Sequence, residues 1–319
     1  MSPVALAFLQ RLAHLLIVLF IVSVVTVLLI DIMPGDPAVV MLGESATPER
    51  IAALREELGL NAPFWERYWE WMGGLIQGDL GTSVVTRRPV IDDILSRLTV
   101  TFELAALATL FALLISVPTA VYCAYRSGRL FDRMWTAATS IFISVPNFVA
   151  GVLLAFVFAV QLGWLPLLGW VPLSGSITGN LRTAALPALA LSLSEIAVFS
   201  RVLRSDLIAT LQDDYIVTAK AKGLHPTYVL FRHALRPSAL PLMTLSGLSL
   251  ARIIGGTVVI EYLFSLPGLG QLIIVSVSTS DLPVVQGVVI TVAIAYVLVN
   301  ALTDGAYLLV DPRTRVRST

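Results

Sequence analysis

One cysteine, Cys123, and three histidines, His14, His225 and His233, are all that 319 residues offer of the softer metal ligands. One thiol forms no intrachain disulfide, no histidine pair has metal-ligand spacing, and no nucleophile–base constellation is apparent. Charge is scarce as well: 13% of residues carry one, against roughly a quarter in a soluble globule. The chain also has no G-x-x-x-x-G-K-[ST] phosphate loop, and so no evident means of hydrolysing ATP. No catalytic residue, metal or cofactor is therefore expected on it, and a formal charge of zero gives no reason to expect a nucleic-acid partner.

What is abundant is apolar length. Hydrophobic residues make up 57% of the chain. Crossing about 30 Å of hydrocarbon takes about 20 apolar residues of helix. Six runs meet that requirement: 12–32, 100–124, 135–162, 184–202, 240–264 and 284–310. The expectation is an all-α polytopic protein of six membrane helices, forming one transmembrane domain over 1–319 in contact with lipid. The first run is too long for the core of a cleaved leader, no A-x-A site follows it, and Met33-Pro34-Gly35-Asp36-Pro37 marks a turn, so it is expected to be retained.

Charge is unevenly placed. Arg126, Arg129 and Arg133, then Arg201 to Arg236, then Arg313, Arg315 and Arg317 fall in segments that alternate with the runs, as does Arg11 at the start. The stretch 31–99 instead carries eleven carboxylates against six arginines. Basic residues stay on the cytoplasmic side, which places both termini inside and 31–99 outside as an insertion. Within it, Thr47-Pro48-Glu49-Arg50 reads as a helix start and Gly59 as its stop. A second helix from Pro63 carries Trp65, Tyr68, Trp69 and Trp71; two readings stand side by side, an aromatic belt at the membrane surface and a small aromatic core.

Segment 205–239, between the fourth and fifth runs, is expected to be cytoplasmic and to form two short helices. Asp213 or Asp214 can cap the first; Lys220 and Lys222 suit its C-terminal dipole; Gly223 can take the left-handed stop. Pro226 can open a second helix that stops before Pro237. Ala219, Ala221 and Gly223 would offer a thin face for close approach by another protein. An ordinary basic loop remains the competing reading.

Asp214-Tyr215-Ile216-Val217-Thr218-Ala219-Lys220-Ala221-Lys222-Gly223-Leu224, followed by Arg232-His233-Ala234-Leu235-Arg236-Pro237, resembles the coupling segment of ABC importer permeases, most closely those of dipeptide and oligopeptide importers. Further pieces agree in order: Pro34-Gly35-Asp36-Pro37, Leu58-Gly59-Leu60, Gly78-Asp79-Leu80-Gly81-Thr82-Ser83, Val145-Pro146-Asn147-Phe148, Leu186-Pro187-Ala188-Leu189, Glu261 with Pro267-Gly268-Leu269-Gly270, and Asp304 with Asp311-Pro312-Arg313. The similarity covers nearly the whole chain. One departure is Val217-Thr218-Ala219 where the general importer motif has Glu-Ala-Ala. The resemblance implies the type I importer permease fold in a bacterial or archaeal cytoplasmic membrane. It implies a second homologous permease subunit, one or two cytoplasmic ABC ATPases carrying ATP and Mg, and an extracytoplasmic peptide-binding protein. It places Tyr215, Ala219, Lys220, Lys222, Gly223, Leu224 and His233 at the ATPase contact. It does not choose among dipeptide, oligopeptide, glutathione, nickel chelate or haem as cargo, nor between like and unlike permease pairs.

A charge inside a span is costly and turns by default toward the bundle interior or a wet cavity. Glu103, Glu261 and Asp304 lie near run ends and fit the family pattern. Glu195 and Arg252 lie within runs, where the family is expected to have small or apolar residues. They can pair with each other, line the translocation path, or take separate partners. A proton-coupled secondary transporter using these carboxylates is the alternative function; it lacks an evident internal repeat.

Overall fold

The computed structural model describes residues 3–32, 36–57 and 59–310, and among these the regular structure is helical apart from one isolated bridge between Thr82 and Pro89. Apolar length sets the architecture. Four helical stretches are long and apolar enough to cross a membrane: Val90–Tyr125, Ile177–Thr210, Pro226–Gly256 and Leu282–Thr303. A bent pair, Leu130–Ser144 with Asn147–Gln161, makes a fifth if counted as one span. The first run expected from sequence lies in α1 (Pro3–Ile32), whose described apolar stretch is Leu15–Leu28.

The helices divide between two compact units: residues 1–101 with 267–297, and residues 102–266 with 298–319. In the first unit, α1 is followed by three short helices, α2 (Pro37–Leu42), α3 (Pro48–Glu57) and α4 (Phe64–Ile76). Asp36 caps α2 by accepting from Ala38 N at 3.0 Å. Thr47 Oγ1 accepts from Arg50 N at 3.4 Å at the start of α3. That helix ends where Gly59, at φ 63°, lets Leu60 N reach back to Arg55 O at 2.9 Å. Leu58 and the turn residues 33–35 lie outside the described residues.

The aromatic side chains of α4 divide by exposure. Tyr68 is buried against α1, its hydroxyl 3.0 Å from Ser23 Oγ and its ring edge-on to Phe20, whereas Trp65 and Trp69 are exposed. The unit's core is Leu80, Val90 and Ile94 against residues of α13 (Leu269–Ser278) and α14 (Leu282–Val310), chiefly Leu269, Leu272, Val284 and Val288. Gly287 permits the closest approach, since a Cβ there would meet Val90 Cγ1 at 2.6 Å. Asp281 locks the loop at 78–83: it accepts Ser83 Oγ at 2.5 Å and Val84 N at 3.2 Å.

The second unit is built around α8 (Ile177–Thr210), against which α6 (Leu130–Ser144), α7 (Asn147–Leu154) and α11 (Leu235–Gly256) all pack. The run expected as one span at 135–162 is a bent pair of helices: the chain turns by 108° between α6 and α7. Pro146 excludes Val145 from helical backbone; Val145 sits at φ −90°, ψ 122°, so one helix stops and another starts. Pro118 and Pro187 do not end their helices, α5 (Val90–Tyr125) and α8, which run on through them. Asp132 in α6, itself buried, and the part-buried Arg204 in α8 form a fork, Nε to Oδ1 at 2.6 Å and Nη2 to Oδ2 at 2.7 Å, and Gly128 N donates to the same carboxylate. Two glycines permit close crossings: Gly151 of α7 against Ile260 and Leu263 of α12 (Val258–Leu263), and Gly247 of α11 against Thr303.

Candidate functional site

The segment expected to couple begins with α9 (Asp214–Ala221), eight residues that are too few to be stable alone. Asp213 stands at the N-cap with extended backbone, but its side chain makes no capping bond; Asp214 occupies the first turn. The C-terminus closes as expected. Gly223 adopts φ 77°, its N–H reaches Lys220 O at 2.9 Å, and Leu224 N reaches Ala219 O at 3.3 Å. These two reverse bonds are the Schellman stop, and a Cβ at Gly223 would strain it.

Tertiary packing supplies the rest of the stability. Ile216 and Ala219, one turn apart, are buried in the main cluster with Val121, Phe199, Leu203, Leu207, Val229 and Leu230. The thin outward face expected of Ala219, Ala221 and Gly223 is thus corrected: Ala219 points into the protein's own core, and Ala221 and Gly223 alone of the three are exposed. The outward face consists of Tyr215, Val217, Lys220, Lys222 and Leu224, continued by Tyr228 and Phe231, all exposed. An apolar patch rimmed by lysines is an unusual surface for a free cytoplasmic loop and a common one for a contact.

The stop expected before Pro237 does not occur. From Pro226 the helix continues through a wide π turn at Val229–Ala234 into α11 and ends only at Gly256. A proline within a helix removes one N–H and crowds the carbonyl four residues back. Here that carbonyl belongs to His233, at the end of the π turn, and it accepts the Tyr215 hydroxyl in a long bond of 3.4 Å. Burial and the nearby Asp213 carboxylate push the Tyr215 phenol's pKa up, so it remains a donor at neutral pH. The His233 ring meets the edge of Tyr228 with centroids 5.4 Å apart. Six of the seven proposed coupling residues therefore lie on one outward cluster or immediately under it, and Ala219 anchors it from within.

The second candidate site lies inside the spans. Arg252 Nη2 stands 3.1 Å from Glu195 Oε2 and 3.2 Å from Oε1, and it donates to Ser249 Oγ at 2.8 Å. The two ends differ in exposure: the Glu195 side chain is 7% exposed and that of Arg252 61%. Ser249 is fully buried and orients the guanidinium. Gly255 and Gly256 beside it have nothing within 4 Å of a built Cβ. Glu103 and Glu261 do not join this group. Glu103 accepts Asn180 Nδ2 at 2.5 Å, Glu261 is fully buried elsewhere, and the side chain of Asp304 lies outside the described residues. Sequence reasoning missed the Asp132–Arg204 fork and Asp281, whose partners are distant in the chain; a lone acid just after the Arg129 turn was the signal available for the first.

Among the described residues no group of three or more His, Cys, Asp and Glu side chains is arranged to hold a metal ion. The geometry offers a docking cluster and a buried ion pair with one open side.

Residues 116–316 match the family model of the binding-protein-dependent transport system inner membrane component, and residues 5–105 match that of its N-terminal region. A probable peptide ABC transporter permease protein of Sinorhizobium fredii is 38% identical over 307 residues, covering 96% of this chain and 98% of that protein. A putative peptide transport system permease protein of Brucella abortus is 38% identical with the same coverage. The glutathione transport system permease protein GsiC of Escherichia coli K12 is 35% identical over 308 residues, 97% of this chain and 98% of that protein. The chain belongs to the family of binding-protein-dependent transport system inner membrane components, a multi-pass permease subunit of an ABC transport system.

Proposed function

We propose that this permease imports di- or oligopeptides as one of two pore-forming subunits, in a bacterial or archaeal inner membrane. Six spans with both termini cytoplasmic would place 31–99 outside, facing a peptide-binding protein, and 205–239 inside, facing one or two ATPases that carry ATP and Mg. The peptide permeases among its relatives, matched over nearly their full length, support the cargo.

The observation that carries the mechanism is the seating of α9. Ile216 and Ala219 fix it to the ends of α5, α8 and α11, while Tyr215, Val217, Lys220, Lys222, Leu224 and the Gly223 turn face outward. A push on the outward face is thereby passed to spanning helices as a rigid-body displacement. Uptake follows alternating access: the ATPase dimer closes on ATP, α9 moves with it, and the pore opens outward. Each partner drives the switch only insofar as it binds the two pore states unequally. Arg252 and Glu195 belong to the translocation path in this reading. A cation 61% exposed in a span is too costly to leave against lipid.

Affinity purification of the chain from its native membrane, followed by an ATPase assay, tests the proposal. A second permease with bound ATPases, whose transport is lost on Gly223→Trp, is the expected result. A chain that purifies alone and moves solute with a proton gradient would refute it.

A further inference from the structure

The Glu195–Arg252 pair is lopsided in a way that points to a ligand. Glu195 lies 18 residues after the start of α8 and 15 before its end, about 27 Å and about 22 Å along the axis at 1.5 Å per residue. The pair is therefore deep within the span. A guanidinium has five N–H donors in a planar fork. The hydrogen bonds to Glu195 and Ser249 all use Nη2; among the described residues Nη1 and Nε make none. Three donors of an obligatory cation are thus left unused on an exposed side chain at mid-span, while Ser249 and Glu195 hold Nη2.

The surroundings leave room for a chain. Leu248, Arg252, Gly255, Gly256 and Val259 form one exposed line. The two glycines leave open space where a side chain would stand, a width suited to peptide backbone beside the guanidinium. Charge sets the ligand. An unused N–H donor on an exposed cation can make a charge-assisted hydrogen bond to a carboxylate. Because Glu195 already neutralises the arginine, the added attraction is modest, as passage requires: strong enough to enter, weak enough to leave.

We propose that Arg252 receives a carboxylate of the transported peptide through the donors that Glu195 and Ser249 leave unused, making the permease itself selective for peptides with a free acid. This rests on the peptide-import reading above. Glu195 and Ser249 are positioning residues, and Arg252 is the contact.

The test uses the complete transporter with its binding protein in proteoliposomes, importing labelled tri-alanine or its C-terminal amide. The binding protein is the same in every arm, so a change in the acid-to-amide ratio belongs to the permease. Wild type should prefer the acid, and Arg252→Gln should lower that ratio about tenfold or more. Arg252→Lys, which keeps Glu195 paired but replaces the fork by a point charge, should fall between, and it preserves the readout if the glutamine variant fails to assemble. An amidated tripeptide containing glutamate identifies the source: recovered uptake means any carboxylate suffices, and none means the C-terminus is read. An unchanged ratio in both variants, with both peptides imported, would overturn this inference alone. Loss of acid and amide uptake in equal measure, with less permease pair recovered, would assign Arg252 to the second subunit and overturn it as well. A wild type importing neither peptide would instead remove the peptide reading beneath it.

Discussion

Ile216→Ala is the perturbation that most sharply separates a seated coupling helix from an ordinary loop. Ile216 is wholly buried, and α9 has only one other buried side chain, Ala219. Truncating a buried isoleucine to alanine costs about 2–5 kcal/mol. The helix is too short to survive detachment, so that cost falls on its docking rather than on the whole fold. Even about 2 kcal/mol multiplies the detached population about thirtyfold. Lys220 on α9 and Lys222 at its C-cap, both exposed, then become trypsin sites in proportion to detachment. The assay is limited proteolysis of the purified transporter, paired with the ratio of peptide transported to ATP hydrolysed in proteoliposomes. Cleavage at these lysines should accelerate at least tenfold, and ATP turnover should continue while transport falls. Val217→Ala, on the exposed face of the same helix, should leave the proteolysis rate as it was and weaken ATPase docking instead. Wild-type cleavage and transport in Ile216→Ala would refute the reasoning, because the seat would then carry no force.

Three further substitutions test the packing. Gly247→Ala should lower the thermal midpoint in detergent, by overpacking of about 1–3 kcal/mol, because its Cβ would press on Thr303; Thr303→Ala in the same chain should restore most of it. Asp132→Ala, which leaves the part-buried Arg204 without its acceptor, should cost about 1–3 kcal/mol, whereas the double change Asp132→Leu with Arg204→Leu should recover a large part, read by chemical denaturation. Asp281→Ala strands the Ser83 hydroxyl and the Val84 N–H, a loss of about 1–3 kcal/mol that should appear as faster amide exchange confined to residues 78–86.

What was legible in the chain follows the range of the interactions. The Gly223 stop was readable because a left-handed backbone has one preferred residue, and its signature needs only a few neighbours. The length and apolarity of the spanning helices were likewise local properties. The bend at Val145–Pro146 was not, because counting apolar residues across 135–162 passes over a single proline. The inward turn of Ala219 escaped because an eight-residue helix with mixed polarity has no clear apolar face until its neighbours are placed. Pro237 looked like a stop because the π turn that accommodates it is a tertiary compromise, with the Tyr215 hydroxyl on the freed carbonyl. Ser83 and Asp281 lie 198 residues apart, beyond the reach of any spacing argument. At the ion pair the oddity of Glu195 and Arg252 was visible as residue type; the open edge of the guanidinium and the part played by Ser249 needed coordinates.

The most direct measurement of the central claim is peptide uptake by the reconstituted transporter under two energy sources in turn. Uptake that requires ATP inside the ATPase-bearing compartment, persists with a protonophore, and disappears in Gly223→Trp while the ATPases remain bound is the predicted result. Uptake that survives without ATP and collapses with the protonophore would contradict the account and make this chain a transporter in its own right.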